Sequence, residues 1–166
     1  MPFPPKNPVA ALSFACAASL LSLVAAFGSQ FVFGLMPCEL CQWQRAVYAL
    51  VIVLCVLGLA VPRRRRLLVV AVGLAFLGGA GLAGYHAAVE KGWVQGPTAC
   101  TSQPHGENDS LDDFRRRIEG APIVACDQPQ WQFHGVTLAG LNAVWSLLLA
   151  AFVFAALQQK RRAREE

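Results

Sequence analysis

The chain has 166 residues, 55% of them hydrophobic and only 14% charged, with 14 basic against 10 acidic side chains and a formal charge of +4. A balance this apolar excludes an ordinary water-soluble domain of the same length. The modest positive charge is accounted for by where the basic residues fall along the chain, as set out below, and points to no nucleic acid.

The first uncharged stretch runs from Val9 to Phe33. Lys6 ahead of it gives a superficial likeness to a secretory signal, but 25 uncharged residues exceed the roughly 7–15 of a signal core, so a retained transmembrane helix is expected. A lipoprotein site at Cys16 fits poorly with bulky Phe14 two residues before it, and Cys16 reads as core. A short loop, residues 34–40, leads to "CELCQWQR" and a second span over 41–61. Pro62 and the run Arg63 to Arg66 form a tight turn, so the third span, Leu67 to Val89, lies antiparallel to the second. Gly73, Gly78, Gly79, Gly81 and Gly84 alternate there with alanines, a pattern that lets helices approach closely.

The segment 90–134 is interrupted by glycines and prolines and holds seven acidic against four basic side chains. Within it, "SLDDFRRRIE" (residues 110–119) places Ser110 and Asp113 as a capping pair, with Leu111, Phe114 and Ile118 on one face. A short amphipathic helix lying on the bilayer surface is expected. The last span is Val136 to Leu157, in which Asn142 and Ser146, four apart, read as hydrogen-bonding glue between helices. Each span reaches the roughly 20 residues needed to cross a bilayer. The expected fold is an all-α membrane protein, a single integral membrane domain over 1–166. It is a four-helix transmembrane bundle with a long periplasmic loop carrying the amphipathic helix.

Orientation follows from the basic residues. Lys6, Arg63 to Arg66, Lys160, Arg161, Arg162 and Arg164 flank span ends that share one side if four helices alternate, and these nine are most of the 14. Both termini are therefore expected on the cytoplasmic side, with loops 34–40 and 90–134 on the opposite side, which in a bacterial inner membrane is the periplasm. Of six cysteines, Cys16 and Cys55 fall inside spans and read as small hydrophobes. Cys38, Cys41, Cys100 and Cys126 all fall on the oxidising side.

The spacing of Cys38 and Cys41 admits several chemistries. Structural zinc wants a second close pair or histidines, whereas 25 residues separate Cys100 from Cys126, so no metal is expected. Haem attachment wants His after the second cysteine, where Gln42 stands, and a thioredoxin-like site wants a βαβ setting. A redox-active disulfide on a helical membrane protein remains. Arg45, four residues after Cys41, shares its helical face about one turn inside the membrane, where an ionisable group points to a function or a specific partner. The helix N-terminus and Arg45 together are expected to favour the Cys41 thiolate. Arg45 is also placed to hold the carbonyl oxygen of a lipid-soluble electron acceptor. His86, near the outer end of the third span, reads equally as a proton donor to that acceptor or as a residue bonded to the backbone.

These motifs resemble the bacterial disulfide bond formation protein B (DsbB) family over nearly the whole chain. The resemblance rests on "CELCQWQR" as the pattern CxLCxxQR or CxLCxxER, on "GYHAAVEKGW", on the Cys100 and Cys126 pair, and on "CDQPQWQFHGVTLAGLNAVW" entering the last span. Gln44 stands where some members carry Glu. The resemblance implies a monomeric protein that reoxidises a periplasmic DsbA-like thioredoxin-fold dithiol oxidase and passes the electrons to a membrane quinone, ubiquinone or menaquinone. It further implies that Cys100 forms the mixed disulfide with the partner and Cys126 closes the loop disulfide. Cys38 then exchanges with that pair, Cys41 faces the quinone, and Arg45 and His86 line the quinone site.

The partner in this relay, a known means of keeping a periplasm oxidising, sits at about −120 mV, whereas structural disulfides lie below about −300 mV. The gap is about 180 mV, or roughly 8 kcal/mol for two electrons. A stabilised thiolate and coupling to quinone reduction would both narrow it. Two rivals make different demands. A reductase of the vitamin K type carries its CxxC after the loop cysteines rather than before them. A tetraspan scaffold stapled by inert disulfides gives Arg45 no role beside Cys41.

Overall fold

The computed structural model describes residues 7–97, 100–101 and 124–165. Four helices, each long and apolar enough to cross a membrane, make up most of it: α1 (Pro8–Phe33), α2 (Glu39–Ala60), α3 (Arg65–Glu90) and α4 (Leu138–Glu165). The expected amphipathic helix at 110–119 lies outside the described residues.

Local chemistry sets the helix ends. Asn7 caps α1, its side-chain oxygen accepting from Val9 N at 3.0 Å, with Pro8 in the first turn, where no N–H partner is needed. At the other end Gly34 takes φ +68°, and the Leu35 amide reaches back to Ser29 O at 3.2 Å. This is the left-handed closure that glycine adopts without a Cβ penalty. Pro62–Arg64 form a single 3₁₀ turn between α2 and α3, and Arg65 Nε returns to Gly58 O at 3.1 Å.

Residues 132–137 depart from the sequence expectation. Val136 and Thr137 do not belong to the last helix: Gln132–Phe133 (β1) pairs antiparallel with Val136–Thr137 (β2). His134 and Gly135 between them have φ +48° and +78°. Two consecutive left-handed residues form the tight turn that joins twisted strands. Thr137 then caps α4, its Oγ1 accepting from Gly140 N at 3.2 Å, and this fixes the helix start at Leu138.

In the bundle α1 packs on α2, α2 on α3 and α3 most extensively on α4, which returns to α1. The central core includes Leu12, Ala15, Val51, Cys55, Val72, Phe76, Leu149 and Val153, with Cys16 packed at its edge. Only some of the α3 glycines make the close contacts. A Cβ on Gly73 would meet Phe154 Cζ at 2.6 Å and one on Gly79 would meet Val47 Cγ1 at 3.0 Å, while Gly78, Gly81 and Gly84 face open space. Large apolar side chains cover the outside, Phe31 at 77% exposure and Leu148 at 58% among them. So oily an exterior is stable only against lipid.

Candidate functional site

Cys38 is the N-cap of α2. Its Sγ accepts from the Cys41 amide at 3.3 Å and lies 3.1 Å from Cys41 Sγ, so the helix start itself places the two sulfurs together. The same end of the bundle brings in the loop cysteines. Cys100 and Cys126 are joined by a disulfide, with Cα atoms 5.3 Å apart and the Cys126 amide donating to Cys100 O at 2.5 Å. Cys38, Leu40, Val89, Cys100 and Cys126 form one buried cluster, with Cys41, Leu82 and Val124 against it. All four cysteines that the sequence reading placed on the oxidising side thus meet at one end of the bundle.

His86 reaches Cys38 from α3. Its Nε2 is 3.5 Å from Cys38 Sγ and 3.7 Å from Glu90 Oε1, one turn on, and its Nδ1 is 2.8 Å from Gln44 Nε2. The Cys38 thiol is lowered from 9.0 to about 4. The Cys41 side chain bonded to the sulfur is the largest cause, and the bond from His86 adds to it against the opposing effect of burial. The sulfur whose anion the surroundings favour is therefore Cys38, whereas the sequence expectation gave the thiolate to Cys41. The physical reason is that Cys38, as the cap, collects the Cys41 side chain and amide together with His86.

Arg45 projects toward α1. Its Nη1 donates to Gln30 Oε1 at 2.6 Å and its Nη2 to Ala26 O at 3.0 Å, and its guanidinium stands 5.0 Å from the centre of the Phe27 ring. It still lines the same cavity as Cys41, a space of about 280 Å³. Ala25, Met36, Trp131 and Leu138 make apolar walls, and Arg45, His86 and Glu90 supply the polar points. Such a cavity suits a flat apolar ring with polar oxygens at its edge.

Cys38 Sγ, Cys41 Sγ and His86 Nε2 also lie within 4.8 Å of one another, close enough to hold a cation. The sequence reading set a metal aside for want of a nearby histidine, and folding supplies one. A Gln44 amide donating to Nδ1 would put the ring proton of neutral His86 on Nε2, where a metal would need a lone pair.

Comparison with known proteins bears on this arrangement. A family model described as disulfide bond formation protein DsbB matches residues 8–156. The chain belongs to the DsbB family. Among its relatives, disulfide bond formation protein B 2 of Pseudomonas entomophila is 34% identical over 144 residues, 81% of each chain. Disulfide bond formation protein B of Herminiimonas arsenicoxydans is 28% identical over 161 residues, 89% of this chain and 94% of that one. An uncharacterised protein of Rickettsia prowazekii is 25% identical over 138 residues, 81% of this chain and 79% of its own. No solved structure matches the chain significantly. As a DsbB-family member with four candidate spans, this is a multi-pass membrane protein of disulfide bond formation, and the family implies disulfide oxidoreductase activity.

Several residues beside the DsbB-family cysteines escaped the sequence reading. Glu90, counted there with the long loop, is the last residue of α3, and one of its carboxylate oxygens is buried with no hydrogen-bond partner among the described residues. Its spacing of four from His86 was the available signal. Asn142, read only as glue, donates to Gln44 Oε1 at 2.5 Å. Tyr48 bonds Asn142 Oδ1 and gave no signal at all, because an aromatic residue in an apolar helix reads as core.

Proposed function

We propose that this chain reoxidises a DsbA-like thioredoxin-fold dithiol protein and passes the two electrons through its two cysteine pairs to a membrane quinone. The observation that carries the reading is that both pairs share one buried cluster at the end of the bundle, beside an apolar cavity that Cys41 and Arg45 line together. The termini and the Arg63–Arg66 turn then lie in the cytoplasm and the cysteine pairs in the periplasm, the orientation the basic residues favour.

The exchange conserves bonds at each step. A partner thiolate attacks the Cys100 sulfur, the Cys100–Cys126 bond breaks, and a mixed disulfide forms as Cys126 leaves as thiolate. The partner's second thiol displaces Cys100 and completes the partner's own disulfide. The loop dithiol is next oxidised by the disulfide of Cys38 and Cys41: Cys126 attacks Cys38, Cys41 leaves, and Cys100 then displaces Cys38, remaking the loop disulfide and leaving Cys38 and Cys41 as thiols. A bound quinone supplies a two-electron, two-proton acceptor. Toward it Cys41 presents the donor sulfur, Arg45 a fixed positive charge, and the apolar walls exclude water. Each exchange favours a stabilised leaving sulfur, and the depressed Cys38 thiol provides one.

The test reconstitutes the full chain in lipid with a reduced thioredoxin-fold partner, with ubiquinone, with menaquinone, and with neither. Partner disulfide formation that requires a quinone is the expected result, and Cys41→Ser abolishes quinone reduction. Absence of any quinone dependence would leave a disulfide-stapled scaffold, and full turnover in Cys41→Ser would remove Cys41 from its role.

A further inference from the structure

Behind His86, four side chains are joined in an unbroken line. Ser146 Oγ is 3.1 Å from Tyr48 Oη, Tyr48 Oη bonds Asn142 Oδ1, Asn142 Nδ2 donates to Gln44 Oε1 at 2.5 Å, and Gln44 Nε2 is 2.8 Å from His86 Nδ1. The line crosses from α4 to α2, back to α4, again to α2, and ends on α3.

The donor roles form one consistent set. The carbonyl oxygen of Asn142 takes the phenol proton, so its NH₂ faces Gln44; the carbonyl oxygen of Gln44 is thereby occupied, so its own NH₂ faces the ring. An NH₂ group only donates, so Nδ1 must carry the lone pair and the proton of the neutral ring sits on Nε2. Nε2 is the atom 3.5 Å from Cys38 Sγ. Every bond points the same way, toward the sulfur, and Ser146 at the far end is 2% exposed. Gln44, Tyr48 and Asn142 also line the cavity beside Cys41, and the line they form orients the ring.

We propose that Gln44, Asn142 and Tyr48 are positioning residues that hold His86 in the orientation and tautomer that donates from Nε2 to the Cys38 sulfur. The idea rests on the reading of Cys38 and Cys41 as the exchanging pair. Its advantage is chemical: Glu90, the Cys126 backbone and a turned Gln44 would each offer His86 an alternative partner, and the line from α4 removes the last of these. Asn142 and Tyr48 thereby act on a sulfur neither of them touches.

Two readouts on the reduced full chain in detergent, without quinone or partner, test this. The first is the ¹⁵N spectrum of ring-labelled histidine, in which His86→Gln assigns one signal among the three histidines. The second is the pH profile of Cys38 alkylation, mapped by mass spectrometry. Among the described residues, the titratable groups bonded to Cys38 are Cys41 on α2 and His86 on α3, with Glu90 on α3 beside His86, and all three are retained in the Asn142, Tyr48 and Gln44 variants. In the wild type, neutral His86 carries its proton on Nε2. Asn142→Ala frees Gln44 to turn its carbonyl toward the ring, so the Nδ1 signal moves toward the protonated position. The Cys38 midpoint then rises by about one pH unit, the effect of losing a hydrogen bond to a charged atom.

Tyr48→Phe, which keeps the ring and its packing, gives the same direction with a smaller size. Gln44→Glu places an acceptor at Nδ1, protonates both ring nitrogens, and leaves the Cys38 midpoint at or below that of the wild type. A wild-type proton on Nδ1, or Asn142→Ala and Tyr48→Phe with unchanged spectra and profiles, would overturn the proposal, as would a raised midpoint in Gln44→Glu. Loss of quinone-dependent turnover touches neither readout, so the two readings fail separately.

Discussion

Replacing His86 with leucine removes the ring that reaches Cys38 from α3 and leaves Cys41 and the helix start in place. The lost contact is a hydrogen bond from Nε2 to a buried sulfur held largely as its anion at neutral pH, the thiol lying at about 4. A bond of that kind is worth about 1.5–3 kcal/mol, or about 1–2 pKa units, so the Cys38 alkylation midpoint of His86→Leu should rise by that amount. The same free energy is withdrawn from the reduced form of the Cys38–Cys41 pair. Its reduction potential should therefore fall by about 30–60 mV, from 30 mV per 1.4 kcal/mol for two electrons. The assay is equilibration of the full chain in graded thiol–disulfide buffers, with the pair quantified by alkylation and mass mapping. A midpoint and a potential that both stay at wild-type values would refute the assignment of His86 as a donor to Cys38.

Arg45→Ala should raise the apparent KM for quinone and leave partner binding unchanged, because the guanidinium lines the cavity and is bonded to α1, away from the loop disulfide; unchanged quinone kinetics would refute that role. Stability of the reduced chain carries the sign of a depressed thiol: Cys38 binds its proton more readily when unfolded, so its contribution is complete above about 9 and is lost as pH falls toward about 4. Thermal melts of the reduced chain across that range should show this slope, and Cys38→Ala should flatten it. Gly73→Leu should lower the unfolding free energy by about 1–3 kcal/mol through overpacking. Gly78→Leu, in open space, serves as its control, and equal losses from the two would contradict the packing assigned to α3.

Much of this protein is written locally in the chain. Four long apolar stretches dictate four helices, because an apolar segment of that length has no other way to satisfy its backbone in lipid. The alternation of four spans grouped Cys38, Cys41, Cys100 and Cys126 on one side, and the spacing of Cys38 and Cys41 put both at one helix mouth. Periodicity missed the short hairpin at 132–137, because strands of two residues are too brief to have a period, and the turn chemistry of His134 and Gly135 determines it instead.

What the linear pattern left open is which side chain meets which across helices. His86 was expected to face the acceptor or the backbone, and its ring also meets Cys38, 48 residues earlier. Arg45 is on the same helical face as Cys41 by spacing, yet its guanidinium is satisfied on α1. Those choices depend on the rotation and height at which four helices settle against one another, and close approach at glycines such as Gly73 and Gly79 sets these in the bundle. Residue order thus determined the number of spans and the grouping of four cysteines toward one end of the bundle. The helix start supplies the Cys41 bonds that favour the Cys38 anion, and only helix-to-helix packing adds the His86 donor from α3.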